Sequence, residues 1–307
     1  MSTTTTFRHE ALLYAGITDF VDHTAAFVRE GLAADEAVAV AVIEPRAGAL
    51  RDSLGADAAH VTWIDMERVG RNPARIIPTW QEWTGLHRDR AYRGIGEPIW
   101  AARTPAELVE CGHHESLLNL AFDGQPWQLL CPYDISALDT DVIAAARRNH
   151  PRVLNGGTGH AGNHLHPDDY AATLHGPALP PVPEHAQRLA FRSGELASVR
   201  ALVRRALPDA PRAQVNHAIL AVSEIAGNSI VHGGGQGAVT IWSQGPSLIC
   251  EIQDSGCIVD PLAGRHRPTT EQDGGRGLWM ANQLCDLVQI RSTDSGTTVR
   301  LHLSAGA

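Results

Sequence analysis

The sequence predicts two domains of different architecture: an amino-terminal α/β domain on a parallel sheet, and a carboxyl-terminal α+β sandwich. Three observations carry this. From residue 10 to 150, near-continuous apolar runs alternate with amphipathic stretches, the pattern of parallel strands covered on both faces. Residues 151–183 then crowd Gly and Pro, and hydrophobic periodicity stops. From 184 to 307 the order changes to two helices, two strands, a helix and two strands, which suits helices on one side of a mixed sheet. A length of 307 residues fits two domains, and 43% hydrophobic against 19% charged residues lets each half build a core.

In the first domain, taken as residues 7–150, the buried strands are AVAVAVI (37–43), VTWI (61–64) and WQLLCPY (127–133), with Ala11–Tyr14 and Ile95–Trp100 as further strands. Helices are expected near 19–33, 73–87, 105–121 and 139–149. Thr104 before Pro105, and Asp139, stand at N-cap positions. Residues 151–183 read as a linker. In the last domain, 184–307, helices fall near 193–207, 211–232 and 276–286, and strands at about 238–244, 247–254, 287–293 and 297–303.

Composition excludes several functions. All 25 basic residues are arginine, so a P-loop, a kinase-type lysine, Schiff-base chemistry and pyridoxal chemistry are ruled out. The formal charge of −9 argues against direct nucleic-acid binding or attraction to anionic lipid. No apolar run approaches the ~20 residues that span a bilayer, and the Ser/Thr-rich start is unlike a secretory leader. A cytoplasmic protein is expected. Cys111, Cys131, Cys250, Cys257 and Cys285 show no C-x-x-C spacing and read as buried small hydrophobes. His160, His164 and His166 read as part of a solvated linker rather than a metal site.

The carboxyl-terminal half holds a joint pattern. In AQVNHAILAVSEIAGNSIVHG, Val215, Ile219, Val222, Ala226 and Ile230 mark the core stripe, with Glu224 and Asn228 roughly opposite and one turn apart. A carboxamide oxygen is a hard metal ligand, and a carboxylate one turn away can orient or deprotonate a nucleophile. Taken alone, the pair reads as an ordinary solvated face. The strand SLICEIQ runs into Asp254-Ser255-Gly256, placing a carboxylate able to accept from an exocyclic amine beside a glycine that permits close approach. Asp273-Gly-Gly-Arg-Gly-Leu278 then opens a helix, a turn suited to phosphate.

E-x-x-x-N on a helix, D-x-G after a strand, G-x-G-L at a helix start and a closing G-T-T-V strand together resemble the GHKL ATPases, with their Bergerat-type sandwich. AVSEIAGNSIVHG, GRGLWMANQLCD and GTTVRL are most similar to bacterial anti-sigma factors that are also serine kinases. The resemblance spans about 186–303. It implies ATP and Mg²⁺, with Asn228 holding the ion, Glu224 as general base and Asp254 binding adenine. Gly256, Gly275, Gly277 and Leu278 would line the nucleotide, and Thr297, in parity with inward Val299 and Leu301, would reach the adenine end. One departure is Ile258, where the family usually has a second glycine. The lid between Pro261 and Asp273 is short, and its Arg265 and Arg267 read as solvated.

In the amino-terminal half, HEALLY (9–14), AVAVAVIEP and LLCPYD (129–134) resemble the MEDS sensory domain, which looks like a RecA-like sheet without its P-loop. That resemblance covers about 7–150 and implies a small-molecule or protein signal, small organic compounds among them. His9, Trp63, Trp100, Cys131 and Tyr133 fall near expected strand ends and form a candidate sensor pocket. The simpler reading, favoured on the sequence alone, makes the tryptophans core and has His9 cap a strand.

Together these imply a sensor coupled to an ATP-binding anti-sigma factor, a transcription regulator. Its partners would be a sigma factor and a STAS-type anti-anti-sigma protein, which it would phosphorylate on serine; a homodimer is allowed. Two rival readings are a partner-binding switch in which ATP is structural or absent, and a sensor histidine kinase. The latter is disfavoured because His185 lies in PVPEHAQ without a helical hairpin before it.

Overall fold

The computed structural model describes residues 6–155, 158–162, 176–268 and 275–304. The chain divides into two compact units, residues 1–170 and 171–307.

The first unit is built on a sheet of order β3-β2-β4-β5-β1-β6-β7. Its strands are β1 (Arg8–Tyr14), β2 (Ala37–Val42), β3 (Thr62–Asp65), β4 (Tyr92–Gly96), β5 (Trp127–Asp134), β6 (Arg152–Asn155) and β7 (Thr158–Ala161). The pairings from β3 through β6 are parallel, and β7 adds antiparallel to β6. The helices are α1 (Gly16–Ala33), α2 (Glu44–Leu54), α3 (Met66–Val69), α4 (Ile76–Leu86), α5 (Pro105–Ala121) and α6 (Thr140–Asn149).

Alternation divides the strands between two cores. Leu12, Tyr14, Val38, Val40 and Leu130 pack with Phe20 and Val28 of α1 and Leu50 of α2. The opposite parity turns Trp127 toward Trp80 of α4, with ring centroids 5.3 Å apart. It also brings His9 to Asn119 of α5, with His9 Nδ1 3.1 Å from Asn119 Oδ1. The α5 start is a full capping box: the Glu107 N–H donates to Thr104 Oγ1 at 3.3 Å, and the Thr104 N–H to Glu107 Oε2 at 2.8 Å. Asp139 holds the N-cap position of α6 without a side-chain cap bond.

Four expectations for this half need correction. The strand expected at Ile95–Trp100 lies earlier, at Tyr92–Gly96, because Pro98 has no N–H to offer a ladder. VTWI is not a buried strand; β3 sits at the sheet edge, where only one neighbour covers it, and Trp63 is half-buried. The helix Glu44–Leu54 was not expected, since its polar, Pro-containing sequence lacks a strong apolar stripe. The linker reading of 151–183 fails at its start: Val153 is buried in β6 beside Ala11, and the chain returns as β7. His160 lies exposed on β7, whereas His164 and His166 fall outside the described residues.

The second unit carries β8 (Gln187–Arg192), α7 (Leu196–Ala206), α8 (Arg212–His232), β9 (Gln236–Gln244), β10 (Ser247–Asp254), α9 (Arg276–Leu284), β11 (Leu287–Thr293) and β12 (Gly296–Ser304). The sheet order is β11-β12-β10-β9-β8, all antiparallel. Helices α7, α8 and α9 bury Val199, Val222, Ile225 and Ala281 against Val239, Ile252, Val299 and Leu301 of one sheet face. The edge strand β8 went unforeseen. The core line of α8 also turns from the expected one: Ala218, Ala221, Val222, Ile225, Ala226 and Ser229 are fully buried, while Val215, Ile219 and Ile230 only flank the core.

The far end of the expected linker also belongs to this unit. Arg291 Nε donates to the Pro177 carbonyl at 2.8 Å and Arg300 Nη2 to that of Pro180 at 2.7 Å, holding the segment to β11 and β12. Cys111, Cys131, Cys250 and Cys285 are buried as expected and form no disulfide, but Cys257 is exposed because it lies in the loop after β10.

Candidate functional site

In the second unit, β10, α8, the loop after β10 and the start of α9 surround a cavity of about 260 Å³. Asn228, Asp254, Gly256, Gly275, Leu278 and Thr297 line it. Six residues drawn from motifs nearly 70 positions apart in sequence thus meet at one concavity.

Asp254 ends β10 and is held on both oxygens. Ser229 Oγ donates to Oδ2 at 2.6 Å and the Gly256 N–H to Oδ1 at 2.8 Å. Each carboxylate oxygen keeps lone-pair capacity for one further donor. Thr297 pairs with Asp254 across the β10–β12 ladder; its hydroxyl donates to the Gly256 carbonyl at 2.8 Å and shares a hydrogen bond of 2.8 Å with Ser292 Oγ. Ser292 in turn accepts from the Ile258 N–H at 2.8 Å. Ile258 is therefore fixed by its backbone, and it lines the cavity.

Glu224 and Asn228 lie half-buried on α8 and converge on Gly277. A Cβ at Gly277 would stand 3.0 Å from Asn228 Nδ2 and 3.2 Å from Glu224 Oε2, so a side chain there would crowd the pair. Gly256 is as tightly placed, since a Cβ would meet the His232 carbonyl at 2.6 Å. Gly275 opens α9 at φ +76°, the left-handed region. Asp273 and Gly274 lie outside the described residues, as does the lid beyond residue 268. On the described part of that lid, Arg265 is half-buried and Arg267 exposed. Sequence reasoning missed Ser229 and Ser292. The signal for Ser229 was a hydroxyl one residue after Asn228; for Ser292, only the β11–β12 pairing with Thr297 reveals it.

In the first unit, the structure brings together three of the five residues of the expected sensor pocket. His9, on β1, has Nε2 3.3 Å from Cys131 Sγ of β5, and Tyr133 lies two residues further along the same face. Glu115 of α5 and His150 complete the group, each fully buried, and both escaped sequence reasoning. Their signals were the run HHES inside a helix and a histidine just after α6. Trp63 and Trp100 do not join. Trp63 is covered by the Arg51 guanidinium, 4.6 Å from its ring, and Trp100 by that of Arg103 at 3.7 Å. Burial, then the neighbouring His150, lowers His9 to about 4, and burial raises the Cys131 thiol and the Tyr133 phenol. At neutral pH the imidazole of His9 is uncharged and the thiol and phenol keep their protons.

At the other end of the sheet, at the carboxyl ends of β1, β4 and β5, lies a second polar group. Tyr14 Oη donates to Glu97 Oε1 at 2.8 Å, Arg46 Nε donates to Tyr14 Oη at 2.6 Å, and Arg46 Nη2 lies 3.5 Å from Asp134 Oδ2. Burial raises Glu97 from 4.5 to about 8, outweighing Arg46.

A helix-on-sheet domain with this cavity is of the class that cradles a nucleotide without a P-loop. Residues 189–303 match the histidine kinase-like ATPase domain, and residues 8–151 match MEDS, the methanogen/methylotroph DcmR sensory domain. The chain is a MEDS domain followed by a histidine kinase-like ATPase domain, and a domain of the latter type implies nucleotide binding. Among solved structures, the chain is similar to the RsbU and RsbW domains of Rv1364c from Mycobacterium tuberculosis, at 20% identity and a TM-score of 0.31. That match covers 40% of this chain and 33% of the other, so the chain spans about a third of the protein it matches. No curated protein matches. No helix among the described residues is long and apolar enough to cross a membrane.

Proposed function

We propose that the second unit binds Mg²⁺–ATP and acts as an anti-sigma factor that phosphorylates a STAS-type anti-anti-sigma protein on serine, under control of the MEDS domain. The observation that supports this most is the convergence of Asn228, Asp254, Gly256, Gly275 and Thr297 on one cavity, with Gly277 closing on Asn228 and Glu224. The residues suit the group: a hard amide oxygen for the ion, a carboxylate with a free lone pair for the adenine amine, and glycine where a side chain would exclude phosphate. Asp254, oriented by Ser229 and Gly256, accepts from the adenine amine, and Thr297 supports that end. Asn228 holds the ion. Glu224 takes the proton of the attacking serine hydroxyl. When bound, ATP supplies the phosphoryl group.

The cavity-lining Ile258 favours a second reading, a partner-binding switch in which ATP is structural or absent. His185 sits in a turn before β8 rather than on a helix, which tells against the histidine kinase. The decisive experiment incubates the purified chain with radiolabelled ATP and a STAS-type protein. Label on a serine of that protein is expected. ATP binding without label would leave the switch with structural ATP, and absence of ATP binding by calorimetry would overturn the kinase reading and leave the switch without nucleotide.

A further inference from the structure

His9, Glu115, Cys131 and His150 offer one ligand atom each, all within 4.8 Å of one another. Their residues are 0–1% exposed. His9 Nε2 is 3.1 Å from Glu115 Oε2 and 3.3 Å from Cys131 Sγ, and His150 Nε2 is 3.1 Å from the same carboxylate oxygen. Zinc-type bonds of about 2.0–2.3 Å at tetrahedral angles put ligand atoms about 3.3–3.8 Å apart. The three separations given lie close to the edges of such a tetrahedron, and all four atoms fall within 4.8 Å of one another.

The hydrogen bonds around the cluster fix which way its lone pairs point. Asn119 Nδ2 donates to the Asn149 carbonyl at 2.9 Å, which turns the amide oxygen toward His9. His9 therefore donates from Nδ1 to Asn119 Oδ1, at 3.1 Å. His150 likewise donates from Nδ1 to the Ala146 carbonyl at 2.7 Å. Metal binding uses each imidazole in its neutral form; both Nε2 atoms then carry lone pairs that face the lone pairs of a carboxylate, and the proton left to displace at this junction is the Cys131 thiol hydrogen. His150 Nε2, despite its short approach to Glu115, makes no hydrogen bond of acceptable geometry, and Glu115 Oε1 and Tyr133 Oη have no partner either. Two imidazoles, each locked by an outward Nδ1–H bond, are the usual surroundings of metal-ligating histidine.

We propose that His9, Glu115, Cys131 and His150 form a closed, four-coordinate site for a divalent transition metal of the zinc type. Both imidazoles bind through Nε2, Glu115 through a carboxylate oxygen and Cys131 as thiolate. Binding forms the metal–sulfur bond and breaks the S–H bond, releasing that one proton to solvent. The charges then balance: the dication is offset by one thiolate and one carboxylate, so the buried site is neutral. The mixed sulfur, nitrogen and oxygen set suits zinc over calcium or magnesium, which take oxygen ligands. The ion joins β1, β5, α5 and the end of α6, so its binding adds to the stability of the first unit.

The test is made on the full chain without an affinity tag of histidines. Elemental analysis after gel filtration is expected to give about one zinc per chain. Refolding with Co²⁺ alone is expected to produce the thiolate-to-cobalt charge-transfer band and intense visible bands of a tetrahedral site. Cys131→Ser should remove the charge-transfer band, while Cys257→Ser, at the exposed cysteine, should keep it. His150→Ala should lower the metal content of the purified chain at least tenfold. The proposal is overturned if the folded wild type holds no transition metal and yields no cobalt bands. It is overturned equally if the bands survive Cys131→Ser but vanish in Cys257→Ser, the signature of an adventitious ion only. Should Cys131→Ser fail to fold, the wild-type cobalt spectrum and the Cys257→Ser control still decide it.

Discussion

Asp254 already accepts two hydrogen bonds within the chain, so its position does not depend on a nucleotide. Replacing it tests recognition directly. Asp254→Ala removes a charged acceptor worth roughly 1.5–3 kcal/mol, about 10- to 150-fold in affinity, and should weaken ATP more than GTP by calorimetry; unchanged ATP affinity would refute the assignment. Chemistry and binding separate at the next pair. Glu224→Ala should retain ATP and lose phosphoryl transfer by about 10²–10⁴-fold, whereas Asn228→Ala should impair both, and equal transfer rates in wild type and Glu224→Ala would refute Glu224 as the base. In the first unit, Glu97 makes stability depend on pH. Its acidity is shifted from 4.5 to about 8 when folded, so between those values the folded state holds more protons than the unfolded one. The stability this proton confers is fully present below 4.5, declines by at most about 1.4 kcal/mol per pH unit, and is lost above about 8. Tyr14, Arg46 and Asp134 face this carboxyl, and the Tyr14 contact survives in Glu97→Gln. That variant should flatten the decline in urea unfolding followed across the window, and an unchanged slope would count against the shift.

Two elements carry tests of their own. Helix α5 brings Glu115 into the buried cluster and starts at the Thr104 capping box. Thr104→Ala should cost about 1 kcal/mol, or about 2–4 °C in Tm, with ATP affinity unaltered. A larger fall in the metal-loaded protein would mean that the cap also positions the cluster. On the second sheet, Arg300 Nε donates to Glu251 Oε2 at 2.9 Å across the β10–β12 ladder, and its guanidinium lies over Trp242 at 5.1 Å. Both side chains are under a tenth exposed. Arg300→Met should therefore destabilise by about 3–5 kcal/mol, because it strands a buried carboxylate, and adding Glu251→Gln should recover much of the loss. Chemical denaturation of the single and double variants measures this; equal stabilities would show that the pair is not coupled.

At the scale of the whole molecule, the boundary between units matters for any truncation. Arg291 and Arg300 hold the carbonyls of Pro177 and Pro180, so a fragment of residues 171–307 keeps contacts that one of 184–307 loses. Both should bind ATP, but the shorter fragment should unfold at lower denaturant. Equal midpoints would show that the segment contributes nothing. If the MEDS domain regulates the second unit, removing it should change affinity for a sigma factor or its dependence on signal, since a regulator acts only by favouring one state over another.

By itself the sequence determined the two-domain order, the fold class of each half and most of the residues that line the candidate site. The reason is physical: E-x-x-x-N, D-x-G and G-x-G-L each encode a local geometry, one helical turn, one strand end and one helix start, so spacing alone places the side chains. It also marked His9, Cys131 and Tyr133, since alternation along β1 and β5 is local as well. Tertiary structure decided the rest. Ser292 meets Thr297 only through the β11–β12 pairing. Glu115 and His150 reach His9 only because α5 and the end of α6 pack on the same sheet face, a contact between positions more than a hundred residues apart. Trp63 and Trp100, near strand ends in sequence, were drawn away by Arg51 and Arg103. The Gly- and Pro-rich stretch after residue 150 looked unstructured because its order comes from partners elsewhere: β1 for β6, and two arginines for Pro177 and Pro180. Long-range pairing leaves no periodicity in the segment that receives it.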